Sequence, residues 1–220
     1  MINLIDEIKK LFSAKRKEND ENTEPRKYFG NPDDLFDELG VYELSIDCGE
    51  DFLPFVDELS GRIWDLRLDI KKRTGFILPP VHILDKTDLQ ENEIRINVRD
   101  NTVFTDYLVP TEENFCDEII RNLEIICFEY LEEIFSNEIV EKYIEHVNIN
   151  NCGLVAYLTR VIPVPGFKKI FTDIIRNGKS INDITMIFEK IAEAAMTDND
   201  TCFTRDAKKI SKEVLAKLNI

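Results

Sequence analysis

Residues 62–85 read RIWDLRLDIKKRTGFILPPVHILD, and this stretch decides the fold. Its apolar side chains, with those just upstream, recur every three or four residues, which predicts an amphipathic helix over about 52–74. Gly75 stands where a helix commonly ends in a left-handed residue. Pro79 and Pro80 cannot donate hydrogen bonds to a sheet, so the segment around them is predicted to be an edge strand or an interrupted strand.

The sequence on either side of this stretch predicts a small sheet. Extended segments are predicted at about 41–47, 76–85, 93–99 and 102–108. The last two join through a two-residue turn at Asp100 and Asn101. A strand, a helix and a strand followed by a hairpin form an α+β unit with one helical face.

After Pro110 the pattern becomes helical. Helices are predicted at about 111–135, after the caps Ser136 and Asn151, and at 166–177, 180–196 and 205–218. Gly178 supplies a helix stop, and Ser180 with Asp183 resembles a capping box that opens the next helix. The predicted fold class is therefore α+β, a small βαβ-plus-hairpin module followed by an all-helical module.

Three parts follow from this pattern. Residues 1–30 are predicted to form a short helix and a flexible linker, because 14–27 are charged and lack core-forming side chains. Residues 31–110 form the α+β module, and residues 111–220 form the helical module.

Composition narrows the class of partner. The chain has 28 basic and 43 acidic side chains and a net charge of −15, a field that repels nucleic acid and anionic membrane surfaces. No apolar run approaches the roughly 20 residues of a membrane-spanning helix.

The five scattered cysteines predict reduced, buried thiols in a cytoplasmic protein.

Two sets of residues resemble one known family. The first set is Arg62-Ile63, Leu66-Arg67, Gly75-Phe76, Leu78 to Val81, Ile83, Asp85, Asn92 and Arg95-Ile96. In this order and spacing it resembles the FHIPEP family, the cytoplasmic domain of the flagellar and type III secretion export gate. The second set, which is similar to a later pattern of that family, is Arg176, Gly178, Ser180, Ile181 and Asp183; Asn182 replaces the family's usual arginine.

The resemblance implies a role in protein transport, in type III secretion or in bacterial flagellum biogenesis. It implies that both modules make ring-building contacts, and that partners are export components, chaperones or further copies of the chain. About six residues between Leu108 and Phe115 stand where the family carries an inserted subdomain, and the chain ends soon after Ala195. We therefore expect a shortened relative without membrane segments, whose chaperone cleft is absent or reshaped.

Five residues are predicted to contact other proteins: Trp64, Pro79, Pro80, Arg95 and Arg176. Trp64 projects beside the apolar stripe of the long helix, so it is either an interface anchor or a tryptophan at the edge of the core.

No catalytic, cofactor-binding or metal-binding residue is predicted. His82 and His146 have no adjacent nucleophile, the cysteines lack zinc spacing, and the glycines form no phosphate loop. The sequence thus favours a non-enzymatic module for protein interaction and assembly. Two alternatives remain: a regulator or remnant unlinked to secretion, and a small enzyme with a pocket where His82 meets Asp85 or Glu93.

Overall fold

The computed structural model describes residues 41–109, 115–197 and 205–218. The predicted helix and linker of residues 1–30, the first residues of the predicted helix at 111–135, and Cys202 lie outside these ranges.

The α+β class is confirmed, with a four-stranded sheet and eight α-helices in the described residues. The strands are β1 (Leu44–Cys48), β2 (His82–Asp85), β3 (Glu93–Val98) and β4 (Asn101–Tyr107). A 3₁₀ turn (Glu50–Phe55) and helix α1 (Val56–Thr74) connect β1 to β2. The sheet order is β2-β1-β3-β4, with β1 parallel to β2 and the other pairs antiparallel.

One face of the sheet is apolar and the other is polar, because side chains alternate along each strand. The apolar face shares a core with the buried side of α1, and this core includes Leu44, Ile46, Ile94, Ile96, Leu59, Ile63, Leu66 and Ile70. On the polar face, Asn97 donates to Ser45 Oγ (3.2 Å) and accepts from Thr102 Oγ1 (2.7 Å).

Two strand predictions need correction. Only His82–Asp85 of the predicted segment 76–85 is a strand, although its predicted position at the edge of the sheet is confirmed. The hairpin turn is Arg99-Asp100, one residue earlier than predicted, because Val98 pairs with Asn101.

The remaining helices are α2 (Phe115–Glu129), α3 (Leu131–Ile134), α4 (Asn137–Asn148), α5 (Cys152–Val161), α6 (Val164–Arg176), α7 (Ile184–Thr197) and α8 (Ala207–Leu218). The predicted helix to residue 135 is two helices, interrupted at Tyr130. The predicted Ser136 cap is confirmed, since its hydroxyl accepts from Ile139 N–H (3.4 Å). Asn151 stands at the N-cap of α5 but makes no side-chain cap bond.

Helix α7 begins at Ile184, four residues later than predicted. The Asp183 carboxylate accepts from Met186 N–H (3.0 Å), which is an N-cap bond. The Ser180 hydroxyl instead accepts from Asn182 N–H (3.0 Å) and closes a tight turn before the helix.

An aromatic cluster joins the sheet half to the helical half. The Phe76 ring packs at a tilt of 43° against Phe135 (ring centroids 4.9 Å apart), and Phe135 lies 6.2 Å from Phe171. Phe171 in turn lies 5.9 Å from Phe188 of α7. All four side chains are fully buried, and burial of each contributes about 2–3 kcal/mol. The division of the chain at residue 110 stays a prediction, because both halves share this core.

Candidate protein-interaction site

The two sequence patterns of the family meet at the end of α1. Gly75 is left-handed (φ +78°), and its N–H donates to Lys71 C=O (2.8 Å). From the loop before α7, Ile181 N–H donates to Thr74 C=O (2.7 Å) and Asn182 Nδ2 donates to Lys72 C=O (2.8 Å). The second pattern therefore supplies the hydrogen bonds that the last carbonyls of α1 lack.

Tyr143 of α4 fixes the segment that follows α1. Its hydroxyl donates to Gly75 C=O (2.6 Å) and accepts from Ile77 N–H (2.9 Å). Burial raises the pKa of Tyr143 to about 12, and the bond from Ile77 N–H opposes that rise. The phenol thus stays protonated at neutral pH, and both of its hydrogen bonds go to the backbone.

Arg67 holds the segment from the side of α1. Its guanidinium donates from Nε and Nη2 to Leu78 C=O (3.1 and 3.0 Å). Its Cζ also lies 5.3 Å from the centre of the Trp64 ring, a cation–π distance. Burial lowers the pKa of Arg67, but a guanidinium keeps its charge at any physiological pH. Trp64 itself is 55% exposed.

A groove of about 630 Å³ opens between residues 75–80 and α4, and we call it the joint groove. Its apolar lining is Ile77, Leu78, Pro79, Pro80, Ile139, Ile181 and Ile184. Its charged or ionisable rim is Glu43, Arg67, Lys71, Glu138, Lys142 and His146. Ile77 is 50% exposed, although it is a large apolar side chain. An apolar floor inside a rim of both charges suits an apolar side chain of a protein partner.

The structure places only some of the predicted contact residues at or near the joint groove. Trp64 reaches the groove through Arg67, and Pro80 is exposed at its edge, whereas Pro79 is buried beneath it. Arg95 pairs with Glu93 (2.6 Å) on the sheet.

Arg176 pairs with Glu132 (2.6 Å) in the helical half. Neither Arg95 nor Arg176 lines the joint groove, and a role in binding stays a prediction for each of the five residues.

In the part of the chain that the structure describes, neither the joint groove nor a second cavity beside α6 is lined by His82, Asp85 or Glu93. The His82 ring stacks on Tyr42 (3.7 Å), and the Glu93 carboxylate is held by Arg95 and by Gln90 N–H (3.1 Å). The joint groove does include His146, which the sequence placed only near a helix end.

No group of three or more His, Cys, Asp or Glu side chains in the described residues is arranged to hold a metal ion. Cys48, Cys116 and Cys127 are free and buried, but Cys152 is exposed, contrary to the prediction of buried thiols. Burial raises the pKa of Cys127 to about 12 and that of Cys48 to about 11. Within the same ranges, no helix has the length and apolar character needed to cross a membrane.

Sequence reasoning missed several lining residues. Arg67 belongs to the first family pattern, so its place in that pattern was an available signal. Tyr143 and His146 carry no such signal, because only the packing of α4 brings them to the segment after Gly75.

The fold is similar to solved structures of type III secretion proteins. The Chlamydia pneumoniae CdsV protein superposes with a TM-score of 0.65 at 16% identity, covering 79% of this chain and 66% of CdsV. CdsV in its complex with CdsO gives the same TM-score and identity, covering 79% and 68%. The nonameric EscV cytosolic domain from the type III secretion system gives 0.62 at 13% identity, covering 80% and 63%. The chain thus spans 63–68% of the length of the CdsV and EscV structures, and a search of curated proteins found no match.

The fold is therefore that of an export-gate cytoplasmic domain of type III secretion. The FHIPEP family model matches residues 3–118, more than half of the chain, and the chain belongs to the FHIPEP family. That match includes the first sequence pattern. The second pattern, after residue 118, lies beyond it.

Proposed function

We propose that this chain is a non-enzymatic docking module of a protein-export apparatus, working in the cytoplasm and binding other proteins at the joint groove. The observation that carries the proposal is the half-exposed Ile77 on the floor of a groove that both family patterns build. An exposed apolar side chain inside a charged rim is the usual anatomy of a protein-binding site.

Three polar groups of the groove are already hydrogen-bonded, and this favours docking over catalysis by those groups. The Tyr143 hydroxyl is bonded to two backbone groups, the Arg67 guanidinium to Leu78 C=O, and the Ser136 hydroxyl to the start of α4. A nucleophile or general base must be free to reach the reacting atom. These groups instead hold the walls of the groove rigid, which lowers the entropy lost on binding.

The similar structures indicate which partners to test. One contains CdsV with CdsO and another is a nonamer of EscV. We propose the same two classes for this chain: the CdsO counterpart encoded in its own genome, and further copies of the chain.

The test compares two exposed isoleucines. Ile77→Ser changes the groove, and Ile125→Ser changes a 55% exposed isoleucine on α2, outside the groove. Binding to the CdsO counterpart is measured by biolayer interferometry, and self-association by light scattering up to about 100 µM, the weak end of specific contacts. We expect Ile77→Ser to weaken one of the two by at least about tenfold, as truncation of a central anchor does, and Ile125→Ser to leave both within about twofold. The proposal fails if the unchanged chain neither binds nor associates, or if the two variants behave alike.

A further inference from the structure

A second cavity, of about 400 Å³, lies between the β3–β4 turn and α6. Arg99 of the turn lines it, with Glu132 and Glu133 of α3 and with Pro165, Lys168 and Lys169 of α6. We call it the turn cavity. It shares no lining residue with the joint groove, so its chemistry is independent of the function proposed above.

Its acidic and basic groups are not matched. Glu132 is already bonded to Lys169 Nζ (3.3 Å) and Arg176 Nη1 (2.6 Å), and Lys169 also binds Asp173 (2.8 Å). In the described part of the chain, neither Arg99 nor Lys168 forms an ion pair. Glu133 is the remaining carboxylate, and it too forms no ion pair there. Two cations without an ion pair therefore line one cavity, beside a single carboxylate that is not already paired.

Arg99 is also held in an unfavourable backbone conformation. Its φ is +55°, a region that non-glycine residues rarely enter, at a cost of about 1–2 kcal/mol. Asparagine or glycine would occupy this turn position more easily. The turn is fixed from outside, because Arg99 N–H donates to Glu43 C=O (3.1 Å). Backbone strain of this kind often marks a functional position.

The two cations also act on one another. Burial, and next the charge of Arg99, lower the pKa of Lys168, against opposing contributions from Glu132 and Glu133. Lys168 and Arg99 thus repel one another, and a negative charge placed between them would relieve that repulsion.

We propose that Arg99 and Lys168 bind one small oxyanion, a carboxylate or a phosphate group, in the turn cavity. The planar guanidinium presents parallel N–H donors that fit two oxygens of such a group, and the ammonium supplies a compact third contact. Because Arg99 belongs to the sheet half and Lys168 to the helical half, the bound anion links the two. Glu133 repels the anion, so only a group that reaches both cations binds well.

The test measures thermal unfolding of the full chain in sodium phosphate, sodium acetate and sodium chloride at equal ionic strength. At about ten times Kd, a bound anion raises Tm about 3 °C above the chloride value. A rise in phosphate alone supports a phosphate site, and a rise in both supports a site that also takes carboxylates.

Two variants remove the site, and a third serves as control. Arg99→Asn keeps a residue suited to the left-handed turn and therefore folds, and Lys168→Gln removes the second cation. Lys212→Gln removes an exposed lysine that lies outside the turn cavity. We expect the first two variants to lose the extra rise in Tm and the third to keep it.

Backbone amide shifts of Arg99 and Lys168 in NMR spectra, titrated with inorganic phosphate, give a second readout. Equal Tm values in all three salts, or an unchanged rise in Arg99→Asn and Lys168→Gln, would overturn the proposal.

Discussion

Two helix ends in this protein carry the same sequence signal and stand in different surroundings. Gly75 after α1 and Gly178 after α6 are both left-handed, with φ of +78° and +70°. A Cβ atom at Gly75 would lie 2.5 Å from Asn182 N and 2.6 Å from Ile181 C, whereas a Cβ at Gly178 would meet nothing within 4 Å. One glycine therefore stops a helix, and the other also lets a distant loop reach the helix end.

The largest expected effect is that of Gly75→Ala. Alanine costs about 1–2 kcal/mol in the left-handed region, and its Cβ would also push apart the loop that holds Thr74 and Lys72. We expect the free energy of unfolding in urea to fall by about 3 kcal/mol or more. Gly178→Ala is the matched control, with an expected loss of about 1 kcal/mol. Equal losses at the two positions would contradict the difference drawn between them.

The next largest effect is expected for Tyr143→Phe. This change leaves Gly75 C=O without its donor and Ile77 N–H without its acceptor in a buried place. We expect a loss of about 2 kcal/mol in the free energy of unfolding. Tyr107→Phe, at a tyrosine that is 52% exposed, should change it by less than about 0.5 kcal/mol. A loss at Tyr143 no greater than at Tyr107 would mean that the phenol does not hold the joint.

Alkaline pH should loosen the same joint. Burial raises the Tyr143 pKa from its ordinary value of 10 to about 12, so the unfolded chain loses this proton at lower pH than the folded chain. The contribution is complete below pH 10 and is lost as the pH rises toward 12. At pH 11 about half of this contribution has been lost, a decrease of about 1 kcal/mol in the free energy of unfolding.

Cys127 also has a raised pKa and adds its own loss above pH 9. The measurement is therefore the difference between the unchanged chain and Tyr143→Phe in urea unfolding from pH 8 to 11. Parallel curves would show that Tyr143 does not titrate differently in the folded chain.

The smallest effect concerns Asn182, whose exposed side chain donates to Lys72 C=O. Asn182→Ala should cost about 0.5–1 kcal/mol in urea unfolding, the net worth of one such bond. Asn182→Arg restores the residue usual in the family and keeps a donor beside that carbonyl, so it should be close to neutral. If arginine destabilises more than alanine, this loop position is not a capping position.

The parts of the fold that local chemistry encodes could be predicted from the sequence. Helix α1, its stop at Gly75, the edge position of β2 and the Ser136 cap are of this kind. The predicted start of α7 was wrong, because both Ser180 and Asp183 can cap a helix. A tertiary contact decides between them: Ile181 N–H is bonded to Thr74 C=O, which holds residues 180–182 out of the helix.

The position of the hairpin turn and the lining of the groove could not be predicted from the sequence, because contacts between distant residues determine both. Asp100-Asn101 is the better local turn, but Arg99 N–H is bonded to Glu43 C=O and Val98 is paired with Leu44, so the strands are fixed before the turn. Trp64, whose ring contacts Arg67 of the groove, was a candidate because of its place on its own helix. Tyr143 lies 68 residues from Gly75, and no local pattern joins them.

The bond from Asn182 to Lys72 spans 110 residues of chain, and this has a consequence for biosynthesis. While the protein emerges from the ribosome, α1 forms early, but its last carbonyls face water until the loop before α7 has been translated. A nascent chain that has not reached Ile181 therefore lacks both donors that cap α1 and part of the lining of the joint groove.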